Sequence, residues 1–104
     1  MPDAPVRVEV TGDGYVRLDA ELAAARFPGD SLVALPRGRE LWLVPLVGPQ
    51  GGGVLLKQRN LRGDRAALVR EALADDHMTG IRPATWDEDE GALRVELDGR
   101  EVGR

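Results

Sequence analysis

Val6-Arg7-Val8-Glu9-Val10-Thr11-Gly12-Asp13-Gly14-Tyr15-Val16-Arg17-Leu18-Asp19 is the stretch whose reading decides the fold. Val6, Val8 and Val10 alternate with Arg7, Glu9 and Thr11, the period-2 pattern of a strand with one buried face. Gly12-Asp13-Gly14 supplies residues that tolerate positive φ, and Val16 and Leu18 then resume the alternation. A β-hairpin over 5–19 follows. Asp19 is a good N-cap for Ala20-Glu21-Leu22-Ala23-Ala24-Ala25-Arg26-Phe27, and Pro28-Gly29 ends it, so a helix of about two turns is expected next. So short a helix is marginal by itself and needs Leu22 and Phe27 docked on the sheet.

Further along, Ser31–Leu35 and Glu40–Val47 read as two strands joined by the loop Pro36-Arg37-Gly38-Arg39. The run Leu41-Trp42-Leu43-Val44-Pro45-Leu46-Val47 is apolar on both faces, as a central buried strand or an interface strand would be. Pro45 removes a ladder donor and marks the far end of that strand as an edge or bulge. Gly48–Gly53 is loop by composition, Val54–Arg59 another strand, and Asn60–Asp64 its turn. Arg65–Ala74 admits two readings. Leu68, Val69, Ala72 and Leu73 form a helical stripe behind an Asp64 cap, the favoured reading, but the segment also has the length to fold back on 54–59 as a strand. Asp75–Pro83 reads as loop, and Ala84–Asp87 with Ala92–Leu97 as a last hairpin. The expected fold is therefore α+β and mainly antiparallel β: a small hairpin-built sheet or barrel-like domain with one or two short helices. At 104 residues it is a single domain over 1–104, with frayed tails at 1–4 and 99–104.

Composition removes many chemistries. No cysteine means no disulfide, thiolate catalysis, iron–sulfur cluster or cysteine-ligated zinc, and there is one histidine, His77, and one serine, Ser31. No apolar run approaches the roughly 18 residues of a membrane span, and Met1–Pro5 lacks a secretory signal pattern, so the cytoplasm is the expected location. The net charge of −4 averages two unlike stretches. Lys57, Arg59, Arg62, Arg65 and Arg70 face only Asp64 over 57–70, a net of +4, whereas 71–101 holds ten acids against Arg82, Arg94 and Arg100, a net of −7. Such a split means either pairing between the segments, the favoured reading, or an exposed face for an anionic partner. Thirteen of the fourteen cations are arginine, a bias that a GC-rich bacterial base composition also produces.

The short motifs each have a structural alternative. Gly29-Asp30-Ser31-Leu32 resembles the motif of the GDSL hydrolases, but the residue three before His77 is Ala74, so the family's Asp-x-x-His is missing and Ser31 has no base. Arg62-Gly63-Asp64 matches the integrin tripeptide and reads as a turn. Asp87-Glu88-Asp89-Glu90-Gly91 fails the register of an EF-hand loop and reads as an acidic hairpin tip. Asp75-Asp76-His77 makes a poor metal set, and 48–53 lacks the Gly-Lys-Ser/Thr ending of a P-loop. No catalytic, cofactor-binding or metal residue is assigned.

The order of Tyr15–Leu46, strand, Asp-capped helix, Gly-Asp and hairpin, resembles the swapped-hairpin DNA-binding modules of the AbrB and MazE type at Val16, Leu18, Leu22, Gly29, Asp30, Leu32, Leu43 and Pro45, all structural positions. That resemblance implies a dimer and DNA contact. The charge departs from it, because residues 1–50 hold five cations and seven acids. The leading expectation is a non-catalytic accessory or protein-interaction domain, self-associating through the apolar strand, with a second copy or another protein as partner and no cofactor or membrane. Nucleic-acid binding through Lys57–Arg70 is the alternative, and a small-molecule pocket gathering some of Trp42, Lys57, Arg59, His77 and Trp86 comes third. The candidate partner-binding residues are Trp42, Lys57, Arg59, Arg62, Arg65 and Arg70.

Overall fold

Alternation over the first hairpin does what the pattern requires. In the computed structural model, which describes residues 6–47 and 53–98, β1 (Val6–Val10) and β2 (Tyr15–Leu18) pair antiparallel and bury Val8, Val10, Val16 and Leu18 on one face. The tails called frayed and most of the glycine loop, 48–52, lie outside the described residues. Asp19 caps α1 (Ala20–Arg26), its carboxylate accepting the Leu22 N–H at 2.7 Å. A second carboxylate, Asp64, reaches the same helix end from far along the chain and accepts the Ala20 N–H at 2.9 Å. Phe27 follows, fully buried as the plug of the core.

β3 (Ser31–Arg37) and β4 (Glu40–Pro45) form a hairpin around Gly38-Arg39, a tighter turn than composition suggested, with Gly38 at φ +61°. Entry into β3 is confined. A Cβ at Gly29 would lie 2.5 Å from the Leu46 carbonyl oxygen, and Asp30 takes φ +55° beside it. The Leu46 N–H donates to the Ser31 carbonyl, which places Ser31, Val33, Leu35 and Arg37 in the hydrogen-bonded pairs with β4 and turns the backbone groups of Ala34 and Pro36 the other way. Pro36 thus sits where no donor is used. Pro45 likewise lies beyond the last β4 residue that pairs with the neighbouring strand.

Three expectations are corrected. The strand expected over Val54–Arg59 is two pieces, β5 (Val54–Leu55) and β6 (Lys57–Gln58), because the run pairs β3 with its first half and β7 with its second, pivoting on buried Leu56. Arg65–Ala74 is not a helix: β7 (Arg65–Leu68) pairs with both β2 and β6, and a single 3₁₀ turn, Arg70–Ala72, follows. Two ladders outweigh a weak helical stripe, and Asp64 caps α1 instead of a new helix. Finally, β8 (Gly80–Asp87) begins well before Ala84, since residues 80–84 pair in register with β1 despite Pro83. β8 joins β9 (Ala92–Glu96) only from Ala84 onward, so Pro83 lies outside that ladder. The gap holds buried Arg82, whose Nε donates to the Glu96 carbonyl at 3.0 Å and whose Nη2 donates to that of Asp98.

The strand order is β5-β3-β4-β9-β8-β1-β2-β7-β6. Because β5 and β6 belong to one run, the two edges of this sheet meet there, giving a nearly closed, mainly antiparallel barrel with one α-helix among the described residues. The strand–helix–hairpin order of 15–46 is present, but its strands complete a barrel within one chain. Leu32, Leu41, Leu43, Leu93 and Val95 fill the interior with the valines of the first hairpin. Strand directions assign the two ends. α1, Val47, and the β6–β7 and β8–β9 turns occupy one end, while the turns at 11–14 and 38–39 and the 3₁₀ turn with residues 73–79 occupy the other.

Candidate interaction surface

The β6–β7 turn is built by one side chain. Asn60 Oδ1 accepts the N–H groups of Arg62 (3.1 Å) and Asp64 (3.2 Å), and its Nδ2 donates to Asp64 at 2.9 Å. Asp64 also accepts from Arg62 at 3.0 Å. The Asn60 hydrogen bond, then the Ala20 N–H and the Arg62 and Arg59 charges, hold the Asp64 carboxyl below the usual carboxylate range. At its tip this net leaves Leu61 fully exposed between the exposed Arg59 and Arg62. Lys57 is exposed on the same hairpin, opposite Ala66, and Arg17 of β2 lies across Ala66 from it, paired with Glu9 at 3.4 Å.

The remaining sequence-selected cations do not join this tip. Arg65 turns inward to Asp30 at 3.2 Å. Arg70 lies toward the opposite end of β7, where its guanidinium donates twice to the Asp13 carbonyl at 3.1 and 3.3 Å. Among the described residues, none of the five cations of 57–70 pairs with an acid of 71–98. The partners are Asp30, Asp64 and the main-chain carbonyls of Gly63 and Asp13.

Trp42 is on another face. It projects outward from β4, half-buried, with its indole N–H donating to Glu40 at 2.9 Å and its ring flanked by Arg94 (5.3 Å) and Arg37 (5.8 Å). Arg94 grips Glu40 through Nε (3.0 Å) and Nη2 (3.2 Å) and reaches Asp87 with Nη1 at 3.1 Å. Those bonds, Arg94 first and Trp42 second, push the Glu40 carboxyl down, and the pair of carboxylates pushes Arg94 up. Asp87 is pulled down chiefly by the Glu90 N–H and then by Arg94. The network flanks Trp42 on the outer apolar face noted in the sequence, and both edges of β4 are occupied, by β3 and β9.

Trp86 stands beside α1, with Arg26 stacked 4.5 Å above its ring. It lines a groove of about 280 Å³ with Val6, Leu22, Ala25 and Leu93, rimmed by Asp19, Glu21 and Arg26. Another groove, about 340 Å³, runs along the open upper half of the barrel seam between Val33, Ala34 and Val54 and the Leu68–Ala72 segment. His77 belongs to the end away from α1, its Nδ1 2.9 Å from the Ala74 carbonyl and its Nε2 2.9 Å from that of Thr11. Ser31 opens β3 at the α1 end, so the serine and the histidine stand at opposite ends of the barrel. Trp42, Lys57, Arg59, His77 and Trp86 are thus spread over several faces and form no common pocket. Among the described residues, no three His, Cys, Asp or Glu side chains are grouped to hold a metal.

Sequence reasoning missed Leu61 and the double role of Asp64, while Val47 was named only as the end of the apolar run. The available signal was a leucine set inside a polar turn, between two arginines and beside an Asn able to lock it. No family model matches the chain, and no curated protein or solved structure matches it either.

Proposed function

We propose that this chain is a small, non-catalytic protein-interaction domain that self-associates through its α1 end. The observation that supports this reading is where the exposed aliphatic side chains lie. Among the described residues, Leu61 (101% exposed), Val47 (77%) and Leu55 (56%) are the most exposed large apolar side chains, and all three belong to that end of the barrel. Val47 is the last residue of the apolar run that suggested an interface. Strand addition is closed to β4, so the run contributes its terminus rather than an edge.

Burying one such side chain is worth about 1.5–3 kcal/mol, and association costs at least about 4 kcal/mol in lost freedom. The expected complex is therefore reversible and concentration-dependent. Sedimentation velocity from micromolar to millimolar protein is the test. The sedimentation coefficient rises with concentration in the parent chain, and Leu61→Asp shifts the rise to higher concentration. A single monomeric species throughout overturns the reading. Nucleic-acid binding has less support, because Arg65 and Arg70 are engaged elsewhere and only Lys57, Arg59 and Arg62 stand on the tip.

A further inference from the structure

The two charged turns stand in a fixed relation. Counting Val54–Gln58 once, the positions around the barrel run in the order of that segment, β3, β4, β9, β8, β1, β2 and β7. The basic β6–β7 tip lies between the first and last of these, and the acidic β8–β9 tip lies between β9 and β8. Four strand positions separate them whichever way round one goes, so they face each other across the α1 end. One carries Lys57, Arg59 and Arg62 around Leu61. The other carries Asp89 and Glu90, exposed beside the Trp86 groove, with Glu88 paired to Arg26 at 3.6 Å and Asp87 to Arg94.

We infer that the partner at this end is a second copy of the chain, docked end to end about a two-fold axis perpendicular to the barrel. This rests on the self-association proposed above and specifies its geometry. Such an axis, set at right angles to the line joining the two tips, lays each basic tip on the partner's acidic tip. The contact is made twice and closes the assembly as a dimer. Leu61 then reaches the Trp86 groove of the partner subunit, whose apolar floor of Val6, Leu22 and Leu93 takes the leucine, while Asp19 and Glu21 on its rim, beside Arg26, meet the flanking arginines. The same charges repel the parallel arrangement, in which like tips meet, so register as well as attraction comes from the split.

Two charge-swapped chains test this. One carries Lys57→Glu and Arg59→Glu, the other Asp89→Lys and Glu90→Lys, all at exposed positions. Circular dichroism and thermal melts confirm folding of each. At low salt each variant alone dimerises about tenfold or more weakly than the parent, and an equimolar mixture restores a heterodimer, because every acidic tip again meets a basic one. Raised salt weakens the heterodimer. If both variants dimerise as the parent does, the chain self-associates through another surface, and the end-to-end geometry fails while the function stands. If the variants are weakened but the mixture stays monomeric, pairing between tips is refuted. A monomeric parent removes both claims.

Discussion

Single residues carry constraints that the barrel then inherits. Gly29 packs so closely on the Leu46 carbonyl that a methyl group cannot be placed without moving backbone. Gly29→Ala is accordingly expected to cost about 1–3 kcal/mol in urea unfolding, and an unchanged midpoint contradicts the close approach. Arg82 has a different task, bonding two carbonyls where Pro83 has interrupted a ladder. Arg82→Met keeps the volume and strands those acceptors, each at about 1–3 kcal/mol, so the same measurement should show a loss at least as large as that of Gly29→Ala. At the surface, Asn60 spends its whole side chain on a turn whose outcome is an exposed leucine, an arrangement that stability alone does not ask for.

Elements show what the sequence could and could not disclose. Alternation located β1, β2 and β9, apolar runs located β3 and β4, and Asp19 located α1, because each of those signals is local. Arg65–Leu68 was misread since its partners, β2 and β6, are remote, and nothing within the segment says that two ladders await it. Gly80–Pro83 reads as loop for the same reason. A proline disqualifies a strand only where its missing N–H is needed, and that depends on a neighbour the sequence does not name. The candidate surface was half legible: the basic stretch was seen, but Arg65 and Arg70 turned out to serve the fold, whereas Leu61 entered only once the turn was built. At seven residues α1 relies on its two carboxylate caps and on Leu22, Ala23 and Phe27 beneath it. Asp19→Ala should lower global stability by about 1 kcal/mol, with amide exchange in Ala20–Arg26 accelerating more than in β1. Equal acceleration everywhere would show that the cap acts on the whole barrel and not on the helix.

For the whole molecule, charge placement governs both stability and association. Asp13, Glu40, Asp64 and Asp87 all have carboxyls held below their ordinary values in the folded chain, Glu40 chiefly by Arg94, which is remote from it in sequence. Depressed folded values mean stability that is complete above the ordinary carboxylate range, near pH 4, and lost as pH falls through the lowered values. Urea midpoints should hold from neutral pH to about pH 5 and fall below it, with Glu40→Gln flattening the fall; a midpoint that rises on acidification contradicts the assignment. The split of −4 into a basic and an acidic stretch, first visible as a pattern along the chain, becomes two tips facing each other across one end. Concentration-dependent amide shifts, recorded by NMR on the parent chain at low salt, test that account most directly. It predicts shifts concentrated at 57–62, along α1 and at 86–90, with the turns at 11–14 and 38–39 silent. Shifts confined to the outer face around Trp42, or none up to millimolar protein, would contradict it.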